Sequence, residues 1–315
     1  MKESSATGNI GLSFIICTFN GSKTIIRSIE SILNLKQYYP YEIIIVDNNS
    51  FDDTEQKVKK FLLDISDKFQ SSPRIILLKE SKQGLIYARK KGVENAYYNY
   101  LCFVDDDNFL ITEDWIKLVI ETFNNHKNIG AIGGQSIPIF ESTCPLWFEK
   151  IKNAYAVGEQ NISEGYLDYQ KRKYLWGASL CIRKDILLQF FSKDDYHKIT
   201  GRKGNKLSSG DDGIISLEVL NQGYHLYYMP QLKFYHFLKK ERLKYTYALK
   251  LMFNIGYSNM KLSTLERRNI YQQFKDFYFV SKNYILQTIK GDDFMREYYK
   301  GMLSFIFSFF NPKKQ

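Results

Sequence analysis

Cysteine is scarce in this sequence, and its spacing lacks the patterns that give cysteine a chemical role. The four cysteines are Cys17, Cys102, Cys144 and Cys181. No CxxC pair or mixed Cys/His spacing of the kind that binds zinc or exchanges disulfides occurs. Since Cys17, Cys102 and Cys181 lie in apolar runs, where a thiol packs as a small hydrophobic group, we expect reduced, buried cysteines and a cytosolic protein.

Long hydrophobic runs are missing as well. No run approaches the roughly 18 apolar residues that a membrane-spanning helix needs. The first residues, MKESSATGNIGLSF, have neither the charged start nor the long apolar region of a signal peptide. We therefore expect the main body of the protein to remain in the cytoplasm.

Two glycine-rich phosphate-binding motifs are also absent. A GxGxxG motif after the first strand would indicate a dinucleotide-binding fold, and a GxxxxGK[S/T] motif would indicate a P-loop NTPase. Neither motif occurs in the sequence. The chain is therefore not expected to bind a nucleotide through either of these loops.

Charged and aromatic residues are distributed unevenly along the chain. Between Met1 and Leu232, 28 basic residues are balanced by 28 acidic ones. Residues 233–315 contain 16 basic and 6 acidic residues, together with 20 of the 47 tyrosines and phenylalanines. The whole net charge of +10 thus arises in a basic aromatic tail, a composition that suits a membrane surface, nucleic acid or an acidic partner.

The first 135 residues alternate between short apolar runs and longer segments with helical spacing. The predicted strands cover residues 12–17, 41–46, 74–78, 100–104 and 129–133. The predicted helices cover residues 22–35, 52–69, 85–96 and 112–126. Because repeated βα units connect by right-handed crossovers, and strands that are apolar on both faces are covered by helices, the sequence predicts an α/β fold with a mainly parallel sheet.

After residue 135 the alternation is lost and the expected elements become less regular. We predict strands at residues 174–182, 224–228 and 231–235, and part of a helix at residues 216–221. Beyond residue 239 the pattern becomes helical. The expected organisation is a first domain over residues 1–238 and a basic aromatic helical extension over residues 239–315.

The residues that directly follow the predicted strands are candidate ligand-binding residues, because open α/β sheets bind ligands beyond the carboxyl ends of their strands. They are Thr18-Phe19-Asn20, Asp47-Asn48-Asn49-Ser50 and Asp105-Asp106-Asp107-Asn108. Consecutive carboxylates repel one another unless a cation neutralises them, and carboxylate oxygens suit Mg²⁺ or Mn²⁺. The triplet therefore indicates a metal site that could bridge two phosphates, although an exposed acidic turn or a helix cap would have the same sequence.

Two further acidic positions allow both a functional and a structural interpretation. Asp47 could accept a hydrogen bond from a nucleobase N–H group, or it could belong to a turn, which Asp-Asn-Asn-Ser favours. Asp211 and Asp212 could supply a general base that takes a proton from an attacking hydroxyl. The same pair is also suited to stabilise the start of a helix, and the two roles are compatible.

Four stretches of the sequence, taken in this order, resemble glycosyltransferase family 2. They are LSFIICTFNGSKTIIRSIESIL, EIIIVDNNSFDDT, GLIYARKKGVENA and YLCFVDDDN. The resemblance extends from about residue 12 to about residue 235. It implies a Rossmann-like GT-A fold and the transfer of a sugar from a nucleotide diphosphate sugar to an acceptor hydroxyl, with inversion at the anomeric carbon.

The resemblance also implies roles for residues on the donor side. Thr18, Asn20 and Asp47 match the nucleoside-binding end of the family's donor site. Arg89 resembles the donor-site arginine, with Lys90 where the family usually has asparagine.

A metal site is implied by the same resemblance. Asp105 and Asp107 resemble the metal-binding DxD pair, with Asp106 between them on the donor side. His236 resembles the late histidine that completes metal coordination in many relatives, although an isolated histidine at a strand end often has a structural role. The expected cofactor is Mn²⁺ or Mg²⁺.

On the acceptor side, Trp176 and Gly177 resemble the family's glycine-containing loop. Asp212 matches the aspartate of the family's Glu-Asp base motif. Asp211 stands where the family has glutamate, so that either carboxylate could take the proton.

The QxxRW motif, which is typical of processive polymer synthases, is absent. We therefore expect a single, non-processive addition in bacterial-type polysaccharide or lipid-linked glycan assembly. A UDP-sugar is the favoured donor because many relatives use it, and the expected acceptor is a glycan or a lipid-linked molecule. Two other functions stay open: a metal-dependent nucleotidyltransferase, and a non-catalytic sugar-nucleotide or glycan-binding protein.

The basic tail contains the largely apolar segment GMLSFIFSFF, followed by Asn-Pro-Lys-Lys. Ten such residues are too few to span a bilayer, but they can lie in its interface with lysines beside anionic headgroups. We expect peripheral contact with the inner face of the cell membrane. The alternative is a helical lid or a dimer contact packed on the first domain, and nucleic acid is not an expected partner.

Overall fold

The apolar runs of the N-terminal part form a parallel sheet, as their sequence predicts. In the computed structural model, which describes residues 9–66, 73–194, 196, 202, 210–264 and 270–310, the first strands are β1 (Leu12–Thr18), β2 (Tyr41–Asp47), β3 (Arg74–Lys79) and β4 (Tyr100–Asp105). Their order is β3-β2-β1-β4, and neighbouring strands are parallel. Every residue of β2 is buried, as expected for a strand covered on both faces.

Helices cover the two faces of this sheet. One face packs against α1 (Ile25–Leu33), α2 (Thr54–Ser66) and α4 (Trp115–Asn125). The other packs against α3 (Leu85–Asn95), α6 (Lys184–Phe191) and α7 (Asp211–Asn221). Along β1, Phe14 and Ile16 belong to the first hydrophobic cluster and Ile15 to the second, because alternate side chains of a strand point to opposite faces.

The second half of the sheet is mixed. It contains β5 (Asn108–Leu110), β6 (Ile129–Phe140), β7 (Gly165–Tyr166), β8 (Cys181–Arg183) and β9 (His225–Leu238). The strand order is β3-β2-β1-β4-β8-β6-β9-β5, with β7 beside β9. β8 is antiparallel to β4 and β6, whereas β6 and β9 are parallel to each other. The predicted α/β fold is therefore confirmed, with antiparallel pairs added beyond β4.

Two predictions for this half were wrong in detail. The strands expected at residues 224–228 and 231–235 form the single strand β9, whose register against β6 shifts around Pro230. Proline lacks an N–H donor and is tolerated at such an irregularity. In the strand expected at residues 174–182, only the end is a strand, because Ser179 has a φ of 57° and the Leu180 N–H donates to the Gly177 carbonyl at 3.3 Å.

The tail is helical, as predicted, and two of its helices touch through glycine. The helices are α8 (Tyr245–Thr264), α9 (Ile270–Ile289) and α10 (Asp293–Phe310). A Cβ atom on Gly256 would overlap the carbonyl oxygen of Tyr298, and one on Gly301 would overlap that of Phe253. The backbones of α8 and α10 therefore approach so closely that only glycine fits at these two positions.

A third hydrophobic cluster joins the tail to the rest of the protein. Phe148, in the short helix α5 (Phe148–Ile151), shares this cluster with Leu251 of α8 and Phe294 of α10. These two helices thus pack on the first domain, as one of the two alternatives for the tail requires. Along the described part of the chain, no helix has the length and apolar character needed to cross a membrane.

The cysteines only partly match the expectation. All four thiols are free, and Cys102 and Cys181 are buried in the sheet. Cys17 and Cys144 are partly exposed, which corrects the prediction that all four are buried. Cys17 lies near the carboxyl end of β1 and lines a cavity, and Cys144 lies in the connection before α5.

Candidate active site

One cavity of about 730 Å³ lies at the carboxyl ends of β1 and β4 and at the start of α7. The predicted site residues that line it are Thr18, Asn20, Arg89, Asp105, Asp106, Asp107, Trp176, Asp211, Asp212 and His236. Residues that are far apart in sequence, including the acidic triplet and the Asp211-Asp212 pair, therefore meet around a single cleft.

The middle carboxylate of the triplet is held against the end of β1. The Thr18 hydroxyl donates a hydrogen bond of 2.5 Å to Asp106 Oδ2, and Ser28 Oγ donates one of 2.9 Å to the Asp106 carbonyl. A side chain on Gly21 would overlap both Thr18 and Asp106, so this close approach requires glycine. Burial and the neighbouring Asp107 raise the pKa of Asp106 to about 6, and the Thr18 hydroxyl opposes that shift.

Asp105, the first carboxylate of the triplet, lies close enough to Arg89 and Asp212 for their charges to affect its pKa. Burial and the Asp107 charge raise the pKa of Asp105 to about 7, and Arg89 acts in the opposite direction. Two neighbouring carboxyl groups thus bind protons more tightly than ordinary aspartates. Such crowding favours any positive charge that enters the cleft.

Arg89 connects α3 to the start of α7. Its side chain is 2% exposed, and Nη1 lies 2.7 Å from Asp211 Oδ2 and 3.2 Å from Asp212 Oδ1. The guanidinium also lies 4.9 Å from the centre of the Phe103 ring. Burial and the Asp212 charge raise the pKa of Asp211 to about 6, against the effect of Arg89. One buried cation therefore fixes the position of both carboxylates.

The two carboxylates differ in their access to the cleft. The Asp211 side chain is 7% exposed and that of Asp212 is 29% exposed. Both lie in the first turn of α7, where the helix dipole favours negative charge. A side chain on Gly177 would overlap Asp212 and Arg89, so the loop after Trp176 passes directly beside the exposed carboxylate. Asp212 is the member of the pair that a ligand can reach.

Trp176 is held by residues that the sequence did not single out. Gln160 is buried, accepts a 2.7 Å hydrogen bond from the Trp176 backbone N–H, and donates from Nε2 to the Gly134 carbonyl at 2.9 Å. The Arg172 guanidinium lies 4.5 Å from the centre of the Trp176 ring. Neither Gln160 nor Arg172 belongs to a motif, and no periodic signal would have found them.

The third carboxylate of the triplet faces the end of β9. Asp107 Oδ1 lies 3.7 Å from His236 Nε2. Arg242 Nη1 lies 3.1 Å from Asp107 Oδ2 and 3.3 Å from His236 Nε2. Burial lowers the pKa of His236 to about 4, with Asp107 opposing and Arg242 reinforcing the shift, so the imidazole is neutral at pH 7. Arg242, like Gln160 and Arg172, is a residue that the sequence did not single out.

The expected metal ligands do not fit a divalent ion as they are placed. Within the described part of the chain, no three carboxylate, imidazole or thiol groups are arranged to hold one ion together. Asp107 and His236 approach each other closely, but the guanidinium of Arg242 contacts both of them. A metal ion at this pair would be repelled by that guanidinium at close range.

The predicted nucleoside-binding residues are only partly in the cleft. Asn20 has a φ of 56°, and its Oδ1 accepts a 3.0 Å hydrogen bond from the Phe51 N–H. Asp47 is 1% exposed and lies outside the cavity lining, and its Oδ1 accepts from the Ser50 N–H at 3.0 Å. Asp47 Oδ2 is buried and has no hydrogen-bond partner among the described residues. The nucleobase contact of Asp47 therefore stays a prediction.

The tail supplies one wall of the cavity, an arrangement that fits the alternative of a helical lid packed on the first domain. Residues of α8 and α10 line it: Tyr247, Leu251, Met252, Ile255, Asn259, Leu262 and Tyr298. Leu262 also contacts the position of Gly213, next to Asp212. The helical spacing of the α8 positions is visible in the sequence and could have predicted a common face, but not what that face contacts.

Comparison with known proteins gives matches over most of the chain. The sequence model described as "Glycosyl transferase family 2" matches residues 13–187. A glucosyl-dolichyl phosphate glucuronosyltransferase of Haloferax volcanii is 24% identical over 259 residues, which cover 81% of this chain and 78% of that protein. A poly-beta-1,6-N-acetyl-D-glucosamine synthase of Staphylococcus epidermidis is 30% identical over 124 residues, which cover 39% of this chain and 28% of that protein.

The fold has a counterpart among solved structures. The crystal structure of S. aureus TarS 1-349 in complex with UDP-GlcNAc aligns with a TM-score of 0.55 at 12% identity, over 94% of this chain and 91% of that one. A complex of the same protein with UDP aligns with a TM-score of 0.52. At this identity the likeness concerns the fold, and it confirms the expected GT-A architecture with C-terminal helices.

Proposed function

This chain belongs to glycosyl transferase family 2 and is a glycosyltransferase, and we propose that it adds one sugar from a UDP-sugar to a hydroxyl of a lipid-linked glycan. Inversion at the anomeric carbon is typical of the family. The name of the Haloferax relative supports a lipid-linked acceptor, and the UDP-GlcNAc complex of TarS supports a UDP-sugar donor.

The observation that carries this proposal is the position of Asp212. Its carboxylate is accessible from the cavity, is oriented by Arg89, and shares the cleft with the acidic triplet. In the proposed reaction Asp212 takes the proton of the acceptor hydroxyl. The hydroxyl oxygen forms a bond to the anomeric carbon from the face opposite the leaving group. The bond from that carbon to the diphosphate breaks, and its electron pair leaves with the diphosphate.

A divalent cation is part of the proposal because members of this family generally use one. The proposed cofactor is Mn²⁺ or Mg²⁺, and the proposed ligands are Asp105, Asp107 and His236. Such an ion stabilises negative charge on a leaving diphosphate. Since Arg242 contacts Asp107 and His236, an ion can reach these two side chains only when the guanidinium moves.

The substitution Asp212→Asn tests the assignment of the base. We expect release of UDP from UDP-GlcNAc, UDP-glucose or another active UDP-sugar to fall by about 10³-fold with a matching acceptor, because a general base contributes roughly 10²–10⁴-fold. Donor binding, measured by calorimetry, should stay within about twofold of the wild type, since the amide keeps the size of the carboxylate. Asp64→Asn, at an exposed position of α2, is the matched control. Full turnover by Asp212→Asn would refute the role of this residue.

The same assay separates the other two functions. A nucleotidyltransferase would release pyrophosphate from a nucleoside triphosphate, whereas a glycosyltransferase releases a nucleoside diphosphate from a sugar donor. A non-catalytic sugar-nucleotide or glycan-binding protein would bind the donor and consume none of it with any acceptor. Membership of the transferase family favours the glycosyltransferase over both.

Contact with an anionic membrane surface is the second part of the proposal. α9 exposes several large apolar side chains, namely Phe277, Tyr278, Phe279, Ile285, Leu286 and Ile289. Lys275 and Lys282 are exposed on the same helix, and Lys290 is exposed directly after its end. Apolar and basic side chains together suit a helix that lies in the interface of a bilayer with anionic headgroups, which is where a lipid-linked acceptor is found. The proposed location is the inner face of the cell membrane.

A further inference from the structure

Arg242 occupies the space between the two side chains that are expected to share a metal ion. It lies in a 3₁₀ turn, Lys240–Leu243, that follows β9. Its side chain is 13% exposed, and Nη1 lies within 3.3 Å of both Asp107 Oδ2 and His236 Nε2. A guanidinium cation therefore already contacts the same oxygen and nitrogen donors that a divalent ion would use.

Arg242 and a metal ion cannot use the lone pair of His236 Nε2 at the same time. A neutral imidazole has one ring nitrogen that carries a proton and one that carries a lone pair. When Nε2 accepts a hydrogen bond from Arg242, its lone pair is not available to a metal ion. Both carboxylate oxygens of Asp107 also have partners. Oδ2 is paired with Arg242, and Oδ1 accepts a hydrogen bond of 3.2 Å from Asn108 Nδ2.

The fold holds Arg242 in this place. The Tyr155 hydroxyl donates a 2.9 Å hydrogen bond to the Arg242 carbonyl, and the Arg242 N–H donates to the Lys239 carbonyl at 2.9 Å. The guanidinium carbon lies 5.8 Å from the centre of the Tyr155 ring. Hydrogen bonds thus fix the backbone of Arg242, and an aromatic ring lies beside its guanidinium. Its side chain is therefore more restricted than that of an exposed arginine.

One nitrogen of Arg242 lacks a hydrogen-bond partner among the residues that the structure describes. Nε is buried and makes no hydrogen bond within the described part of the chain. An unpaired buried N–H of a charged group is costly, and a ligand that accepts its hydrogen bond removes the cost. Arg242 and Lys239 both line the cavity, and guanidinium groups bind phosphate oxygens with several parallel hydrogen bonds. Two cationic side chains on the cavity lining, one of them with a donor that is unpaired among the described residues, thus point to an anionic ligand in the cleft.

We propose that Arg242 is the cation that pairs with Asp107 and His236 when no metal ion is bound. In this state Arg242 binds the diphosphate of the donor without a metal ion. A divalent ion binds the Asp107–His236 pair only by displacing Arg242 from it. The proposal rests on the proposed function, because the anion in question is the diphosphate of a nucleotide sugar. It assigns a binding role to a residue outside the family motifs.

Calorimetric titration of EDTA-treated protein with UDP and with uridine tests the diphosphate contact. We expect wild-type protein to bind UDP at least tenfold more tightly than uridine, and Arg242→Gln to reduce that ratio to less than threefold. Arg242→Lys, which keeps the charge but not the planar fork, should give an intermediate ratio. Arg296→Gln, which removes an arginine of α10 outside the cavity lining, should leave the ratio unchanged.

Electron paramagnetic resonance of free Mn²⁺ tests the competition in nucleotide-free protein. Arg242→Gln should bind Mn²⁺ at least tenfold more tightly than the wild type, and adding His236→Ala should abolish that gain. Equal Mn²⁺ affinities for wild type and Arg242→Gln, or a UDP preference that appears only with Mn²⁺, would overturn the inference while leaving the proposed function intact. If UDP binds neither with nor without Mn²⁺, the proposed function fails as well.

Discussion

Crowded carboxyl groups, one of them buried and two half-buried, determine how the cleft responds to pH. Asp105, Asp106 and Asp211 all have pKa values raised to between about 6 and about 7, because each loses water and lies beside another carboxylate. Arg89 lowers the pKa of Asp105 and Asp211 but does not compensate fully. A carboxyl group whose pKa is raised by folding makes the folded state less stable once it ionises.

We predict that Asp105→Asn gains stability relative to the wild type as the pH rises. The pKa of Asp105 is raised from 3.8 to about 7 in the folded protein. Below pH 3.8 the carboxyl is protonated in both folded and unfolded chains, and above pH 7 it is ionised in both, so the wild type loses stability in between and the neutral amide does not. The difference in Tm should grow by on the order of 5 °C from pH 4 to pH 7.5, measured by scanning fluorimetry with EDTA.

The control for this experiment is Asp64→Asn, at an exposed position on α2. Its Tm should differ from that of the wild type by a similar amount at every pH. A constant difference between Asp105→Asn and the wild type would show that the charge of Asp105 does not oppose folding.

Motif residues could be placed from the sequence, whereas their partners could not. The family resemblance assigns Asp212 and the triplet to one reaction, and the structure places both on one cleft, because the carboxyl ends of β1 and β4 and the start of α7 open on the same side of the sheet. Arg242 contacts Asp107, and Gln160 contacts Gly134 and Trp176, all of which are distant in sequence. Nothing in the local sequence around either residue encodes such a contact, so the structure was needed to find them.

At the scale of elements, periodic segments were predictable and irregular ones were not. The ends of β1, β2, β3 and β4 lie within one residue of the predicted bounds. A short apolar run between polar segments is compatible with few secondary structures other than a buried strand. Residues 174–180 are apolar as well, but they form a loop that brings Gly177 beside Asp212 and Arg89. A tertiary contact at the proposed site thus replaces the local strand preference, and pattern analysis does not detect such a contact.

The crossing of α8 and α10 makes a prediction about helix packing. Gly301→Ala should lower the free energy of unfolding by about 1–3 kcal/mol, because the new methyl group overlaps the Phe253 carbonyl. Helix propensity alone would change stability in the other direction, by about 1 kcal/mol. Urea unfolding at constant temperature measures the difference. Ser304→Ala, at an exposed position of α10, is the control and should change stability by less than about 0.5 kcal/mol.

A stabilised Gly301→Ala variant would mean that the two helices do not touch at this position. Gly256→Ala provides an independent check on the opposite helix, where the methyl group meets the carbonyl of Tyr298. Since Tyr298 lines the cavity, this second variant should also weaken binding of the acceptor.

For the whole molecule, charge and exposed apolar surface are concentrated in the same part of the chain. Residues 233–315 supply the entire net charge of +10. Within them, α9 exposes Tyr278 at 70% and Ile289 at 78% of their surface, although α8 and α10 are packed on the first domain. The structure thus separates the tail into packed helices and one helix with an uncovered apolar surface.

We predict that the protein sediments with vesicles that contain phosphatidylglycerol and much less with pure phosphatidylcholine vesicles. The double variant Tyr278→Ser/Ile289→Ser should bind the anionic vesicles at least tenfold more weakly, because it removes apolar surface that would enter the interface. Binding should also fall in 0.5 M NaCl, since salt screens the lysines. Ile162→Ser removes a more exposed apolar side chain outside the tail and serves as the control.

Equal binding to both kinds of vesicle, or full binding by the double variant, would argue against α9 as the contact. Failure to bind any vesicle would remove the membrane from the proposal while leaving the transferase assignment in place.

The helical tail has one consequence for how relatives of this enzyme can diverge. α8 and α10 form a wall of the cleft, and α9 lies between them in the chain with several large apolar side chains exposed. A single exchange of this stretch between two homologues would therefore alter both a wall of the cleft and the surface proposed to contact the lipid. Acceptor specificity and membrane location would then change together, while the sugar-donor site stays the same.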